Sequence, residues 1–297
     1  MTVGFIGLGV MGRPMAGRLA RTGVDLAVWS RTRRHCDEAT ALGARSCDRA
    51  EEVLAQADEG VILMLADEAA TDAVLASGPG LKGNVRDRTV INMGTMAPAW
   101  SEARARDVKE AGGEWVEAPV SGSRGPPEAG ELVAVLAGPE AALPPVRTLL
   151  APLCREIFVC GRAPDALRTK LAVNLFLITM VTGLVEAVHL ARRSGLDLEV
   201  FRAILDAGPM ASGVSRGKLD KLIRGDFAGQ ASIRDVVKKS RLVVGAAPGR
   251  VEAAPPQAGP AAPLISVCSR LYQAAERLGA DHLDMAAVIH ALEHRAD

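Results

Sequence analysis

Three groups of residues in this 297-residue chain could do chemistry by their type and spacing. The first is Gly7, Leu8, Gly9, Val10, Met11 and Gly12. This G-x-G-x-x-G run follows an apolar stretch, Val3 to Ile6, and precedes a segment whose Met15, Ala16, Leu19 and Ala20 share one helical face. Strand, glycine turn and helix are the context in which the spacing reads as a pyrophosphate site. Gly7 permits the tight turn, and Gly9, without a Cβ, lets a pyrophosphate approach the backbone. Gly12 lets the helix pack close to the sheet. The helix N-terminus adds unpaired N–H groups and the positive end of a dipole. A glycine-rich turn with no ligand is the plainer alternative, and the flanking strand and helix argue against it.

The second group is Lys170 and Asn174. Four residues apart on a helix, their side chains leave one face. The face is otherwise apolar, with Leu171, Val173 and Leu177 nearby. From the residues alone, a lysine snorkelling at a domain boundary is the ordinary explanation. The alternative is proton transfer. Lys170 would protonate a carbonyl oxygen as a hydride arrives, or accept the hydroxyl proton in reverse, while Asn174 holds the same oxygen or its neighbour. The third group, Ser121, Gly122 and Ser123, follows a β-like segment. Its hydroxyls and N–H groups suit a substrate carboxylate, though an ordinary polar turn explains the tripeptide equally well.

The end of the second strand selects the cofactor. Leu26 to Trp29 is followed by Ser30, Arg31, Thr32, Arg33 and Arg34. An Asp or Glu at that point would bind the ribose 2′-hydroxyl of NAD; here Asp37 and Glu38 come too late. Arg31 offers a planar fork to a 2′-phosphate, and Ser30 and Thr32 add hydroxyls. The expected cofactor is therefore NADP, as NADPH. A solvated arginine cluster without a ligand is the competing explanation. Met64 and Leu65, ending the third apolar run, are the other cofactor-binding residues expected at strand ends.

Positioning these groups requires alternating strands and helices. Val3–Ile6, Leu26–Trp29, Val61–Leu65 and Val90–Met93 read as strands, and Arg34–Leu42, Ala50–Gln56, Ala70–Val74 and Pro98–Ala111 as helices. Glu114–Val120, Leu132–Leu136 and Ile157–Val159 are β-like. The pattern predicts an α/β fold. A Rossmann-type doubly wound, mostly parallel sheet, residues 1–162, holds ligand at the C-terminal strand ends. From Asp165 a long helical pattern runs to Ser194, and everything beyond it reads helical. Residues 163–297 are thus expected as an all-helical domain for substrate and dimer contacts, joined by the long helix. The Pro/Ala/Gly-rich stretch 248–263 reads as a surface loop.

Composition bounds the partners. Thirty-five basic residues balance 35 acidic ones, which gives no footprint for nucleic acid or an acidic membrane surface. The five cysteines form no C-x-x-C pair, so a reducing, cytoplasmic location and no disulfide framework are expected. No Cys/His pair has metal-ligand spacing, and no metal is expected. A core strand beginning at residue 2 leaves no room for a signal peptide. Leu171 to Leu190 is apolar but interrupted by Asn174, Glu186 and His189, and reads as a buried helix rather than a membrane span. Its apolar surface on more than one face predicts a homodimer or homotetramer.

Four blocks in order resemble the β-hydroxyacid dehydrogenase family, the group of 3-hydroxyisobutyrate dehydrogenase, tartronate semialdehyde reductase and glyoxylate/succinic semialdehyde reductase. They are GFIGLGVMGRPMAGRLA, INMGTMAP, EAPVSGSRGPPEAGEL and KLAVN. The resemblance implies that Thr95 touches the cofactor and that Ser121, Gly122 and Ser123 bind substrate. It makes Lys170 and Asn174 the catalytic Lys-x-x-x-Asn pair. It implies reduction of a small aldehyde- or keto-acid, or oxidation of a β-hydroxyacid. GDFAGQASIRDVV resembles the family segment that ends in Lys-Asp, with Arg234 in the lysine's place, near the cofactor. Arginine keeps the charge but changes its reach. An imine reductase on the same scaffold is a second possibility, against which Lys170 speaks. A non-catalytic dinucleotide-binding scaffold is a third.

Overall fold

The structure, a computed structural model, describes residues 2–122, 129–246 and 262–294. The Pro/Ala/Gly-rich stretch expected as a loop falls outside the described residues as far as position 261. The chain folds into two compact units, Met1–Lys170 and Leu171–Asp297.

The first unit is built on strands buried on both faces, and their side chains divide by parity. In β1 (Thr2–Ile6), Val3 and Phe5 enter one core and Ile6 the other. β4 (Gly60–Leu63) sends Ile62 to the first core, and Val61 and Leu63 to the second. β5 (Thr89–Asn92) and β6 (Glu114–Glu117) split likewise, Ile91 and Val116 against Val90 and Trp115. With β2 (Asp25–Trp29) and β3 (Arg45–Ser46) they form a parallel sheet of order β3-β2-β1-β4-β5-β6. On one face lies α1 (Gly12–Arg21), contributing Met15, Ala16 and Leu19; α2 (Asp37–Ala41) adds Ala39. On the other lie α3 (Ala50–Gln56), α4 (Glu68–Leu75), α5 (Gly80–Val85) and α6 (Pro98–Glu110).

Three details depart from the sequence expectation. Arg34–Leu42 is not one helix: a 3₁₀ turn over Arg33–Cys36 precedes α2. β3 and α5 are additional elements, each too short to carry a periodic signal. The segments beyond Glu117 do not extend the main sheet. β7 (Val120–Ser121), β8 (Leu132–Leu136) and β9 (Cys154–Val159) make a separate three-stranded sheet, β7 antiparallel to β8 and β8 parallel to β9. Pro119 explains the break, because it has no N–H to continue a ladder. The two sheets meet where Glu117 and Ala137 exchange backbone hydrogen bonds. α7 (Leu143–Leu150) packs into the first core through Leu143, Val146 and Leu150.

α8 (Asp165–Arg193) begins in the first unit and runs into the second. By length and composition it could cross a membrane. One stripe of it is buried: Leu171, Asn174, Ile178, Val181, Val185 and Val188, at alternating steps of three and four. Around it the second unit is helical: α9 (Leu198–Ala207), α10 (Gly213–Arg224), α11 (Ile233–Ala246), α12 (Pro263–Arg277) and α13 (Ile289–Glu293). Fully buried Asp284 ties these elements together. Its carboxylate accepts Lys218 Nζ at 2.8 Å and the backbone N–H groups of Gln230, Ala231 and Ala286. A charge pair taken from water needs such a complete set of partners.

Candidate active site

The parallel sheet reverses strand order between β1 and β4, and a doubly wound fold opens its crevice there, at the C-terminal strand ends. Gly7 leaves β1 at φ +101°, and a Cβ on it would strike the Met64 carbonyl. Gly12 heads α1 so close to the turn that a Cβ would overlap the Gly7 carbonyl oxygen. Gly9 is the opposite case: a Cβ built there meets nothing within 4 Å. Two glycines are required by packing, and the third faces open space in front of a helix N-terminus. That is the cradle a pyrophosphate needs. Leu8 is in the core and Val10 is exposed, so this turn offers a ligand mainly its backbone.

Neighbouring strand ends converge here. Met64 N–H donates to the Ile6 carbonyl and Met93 N–H to the Leu63 carbonyl, both at 2.9 Å. These bonds set Met64 and Leu65 beside the glycine turn and carry the order on to Thr95. Gly94 lies against the Leu65 carbonyl, where a Cβ would be only 3.0 Å away. Ser30, Arg31 and Thr32 follow β2 on the other side of β1. Arg33 is committed to Asp48. Arg31 is exposed and has no ion-pair partner among the described residues. Glu38 lies between Arg13 and Arg21, 4.0 and 3.8 Å away, so its carboxylate is turned toward α1. The residues present fit a nicotinamide dinucleotide.

β7 brings in the substrate-binding candidates. Ala118 N–H donates to the Asn92 carbonyl at 2.8 Å, which anchors the connection from β6 at the C-terminal end of β5. Ser121 follows it. Lys170, in the second turn of α8, is 7 % exposed and donates from Nζ to Ser121 Oγ at 2.7 Å. These residues are 49 positions apart in sequence. Gly122 is exposed at φ +143°. Ser123 lies outside the described residues. Asn174, one turn beyond Lys170, is 2 % exposed, and its Nδ2 has no hydrogen-bond partner among the described residues. A buried orphan donor costs about 1–3 kcal/mol, which a bound oxygen acceptor would recover. Arg234 is exposed at the start of α11 and is paired with Asp281 of the same unit.

The sequence reading missed Glu117. This carboxylate, 0 % exposed, accepts Ser101 Oγ at 2.5 Å and the Leu167 N–H at 3.1 Å. Trp115 Nε1 donates to the same Ser101 hydroxyl at 3.0 Å. Burial pushes the carboxyl up to about 7, against the lowering effect of these hydrogen bonds. An acidic residue two positions after a tryptophan in a doubly buried strand was the available signal.

Comparison with known proteins places the chain in a family. Residues 2–161 match the family model for the NAD-binding domain of 6-phosphogluconate dehydrogenase. Residues 165–292 match that for the NAD-binding domain of NADP-dependent 3-hydroxyisobutyrate dehydrogenase. The chain is 31% identical over 294 residues to glyoxylate/succinic semialdehyde reductase 1 of Arabidopsis thaliana, covering 99% of each. It is 29% identical over 298 residues to 2-hydroxy-3-oxopropionate reductase of Escherichia coli, covering 100% of this chain and 99% of that one. The fold is shared with 3-hydroxyisobutyrate dehydrogenase from Salmonella typhimurium, at TM-score 0.84 and 23% identity over 98% of this chain and 99% of that one. The glycine cradle thus sits in a sequence related along its whole length to hydroxyacid dehydrogenases and reductases: the chain belongs to the β-hydroxyacid dehydrogenase family and is a nicotinamide-dinucleotide-dependent oxidoreductase acting on CH–OH.

Proposed function

We propose that the protein catalyses the NADPH-dependent reduction of a small aldehyde- or keto-acid to the hydroxyacid, and the reverse oxidation. The bond from buried Lys170 to Ser121 carries the reading: it joins an ammonium to the turn suited to a substrate carboxylate. Gly7 to Gly12, Met64, Leu65 and Thr95 would hold NADPH, Ser30, Arg31 and Thr32 would receive a 2′-phosphate, and the bound cofactor would supply the hydride. Lys170 holds the proton that the substrate carbonyl oxygen takes up, and regains a proton from solvent afterwards. Ser121 Oγ fixes the direction of the lysine. The Ser121–Gly122 turn orients the carboxylate, and Asn174 Nδ2 donates to a substrate oxygen. The relatives named above act on glyoxylate, succinic semialdehyde and 2-hydroxy-3-oxopropionate, each a carbonyl compound bearing a carboxylate.

The test is a panel of short aldehyde acids and their neutral analogues with NADPH. Loss of the carboxylate should lower kcat/KM by about a hundredfold or more, because the donors of the turn are left unpaired. Equal activity on the neutral analogue would remove the carboxylate assignment. Turnover of cyclic imines but of no aldehyde acid would favour an imine reductase, and no turnover of either a binding scaffold.

The reading includes a second copy of the chain. Val173, Phe176 and Leu190 of α8 are exposed, as are Val200 and Ile204 of α9. An apolar face of this kind is stabilised by covering it, and closed dimers are the commonest way. Light scattering at micromolar concentration is expected to give at least twice the 31.1 kDa chain mass. A monomer alone would contradict this.

A further inference from the structure

We infer that Glu117 is a positioning residue for Lys170: its buried carboxylate holds the first turn of α8 and thereby sets where the lysine ammonium meets Ser121. The inference rests on the reading of Lys170 as the proton donor. The geometry that carries it lies wholly in the first unit. Oε2 accepts the Leu167 N–H at 3.1 Å, and Leu167 lies three residues before Lys170, just under one helical turn. Oε1 accepts Ser101 Oγ at 2.5 Å, and Ser101 in turn accepts Trp115 Nε1 at 3.0 Å. The carboxylate is therefore fixed from three elements: β6, which carries it and Trp115, α6, which carries Ser101, and α8. A helix leaves its first N–H groups without partners, and an anion there meets both those groups and the dipole. A hydrophobic residue at 117 would leave these groups unpaired. A carboxylate on an exposed strand end would not be registered so tightly.

Charge decides how firmly the turn is held. When ionised, Glu117 accepts charge-assisted bonds, which are shorter and stronger than neutral ones. When protonated, it offers only neutral bonds. The ionisable group facing it is Asp165 at the head of α8, whose charge opposes ionisation; α6 presents a hydroxyl and β6 an indole N–H. Ionisation falls near neutrality, because burial raises the carboxyl to about 7. The grip on α8 should therefore loosen as pH drops through that region.

The experiment is kcat and KM for NADPH against pH for wild type, Glu117→Gln and Ser101→Ala, with hydrogen exchange of the peptide containing Leu167 in the protein without cofactor. Wild type should show an acid limb near pH 7. Glu117→Gln should lose that limb and lie about ten- to a hundredfold lower in kcat, with KM for NADPH unchanged, since a small misplacement of a catalytic group has effects of that size. The Leu167 peptide should exchange faster. Ser101→Ala keeps the carboxylate but removes a bond that favours its charge, so the limb should move to higher pH. That variant keeps the inference testable if Glu117→Gln does not fold. An acid limb unmoved in either soluble variant, or Leu167 exchange as slow as in wild type, would overturn it. A fall in thermal stability with an unchanged pH profile would mean a structural role alone and overturn it too. Lys170→Ala separates the two claims. If that variant retains activity, the lysine assignment fails. If it is inactive while Glu117→Gln keeps its limb, only the positioning inference fails.

Discussion

Lys170→Ala is expected to lower kcat by about two to four orders of magnitude, the range contributed by a positioned general acid. KM for NADPH should stay within a few-fold, because the cofactor cradle is built from the ends of β1, β2, β4 and β5. The size of the effect follows from the placement of the lysine. Its side chain is buried, and its Nζ is aligned by Ser121 Oγ at 2.7 Å. A merely snorkelling lysine would have its ammonium in water. Lys170→Arg is expected to recover little of the loss, since a planar guanidinium cannot place one proton where the ammonium does. Single-turnover kinetics with saturating NADPH checks the chemical step, and fluorescence titration checks cofactor binding. A Lys170→Ala enzyme with near-wild-type kcat would end the assignment.

The second large effect is on cofactor choice. Arg31→Asp is expected to reverse or erase the preference for NADPH over NADH in kcat/KM, with kcat at saturating cofactor little changed. One or two charge-assisted bonds to a phosphate, at about 1.5–3 kcal/mol each, correspond to tenfold or more. The aspartate would in addition repel the 2′-phosphate and accept from a 2′-hydroxyl. A neighbouring arginine supplies the control. Arg33 is committed to Asp48, so Arg33→Asp should leave the preference nearly intact. If both substitutions act equally, the effect is the general field of the arginine cluster rather than a fork on the phosphate. A wild type that prefers NADH would refute the strand-end reading itself.

Much of the cofactor half of the molecule was legible from local pattern. Strands buried on both faces appear as short apolar runs, and the turn after β1 requires glycine wherever a Cβ would meet backbone. Gly7 and Gly12 are such places, and Gly9 is the one left open for a ligand. The missing carboxylate after β2 was likewise a matter of adjacent residues. The helical half was legible because three- and four-residue spacing persists through α8, so that Leu171, Ile178, Val181, Val185 and Val188 all fall on one stripe. Pro119 could have indicated that the sheet stops, but the partner strands it frees are chosen at a distance.

What only the tertiary structure decided involves residues remote in the chain. That Lys170 donates to Ser121, 49 positions earlier, is visible only in the folded chain. Glu117 has no functional reading in the sequence, and only in the folded chain do Ser101 and Leu167, the latter 50 positions away, meet its two oxygens. Arg234, expected near the cofactor, is paired in the folded chain with Asp281, 47 positions away. The physical reason is common to all three. Periodicity and turn chemistry act over a few residues and fix backbone conformation. The worth of a charge depends on which dipoles and counter-charges surround it once water is gone, and those are assembled only when distant strands and helices pack.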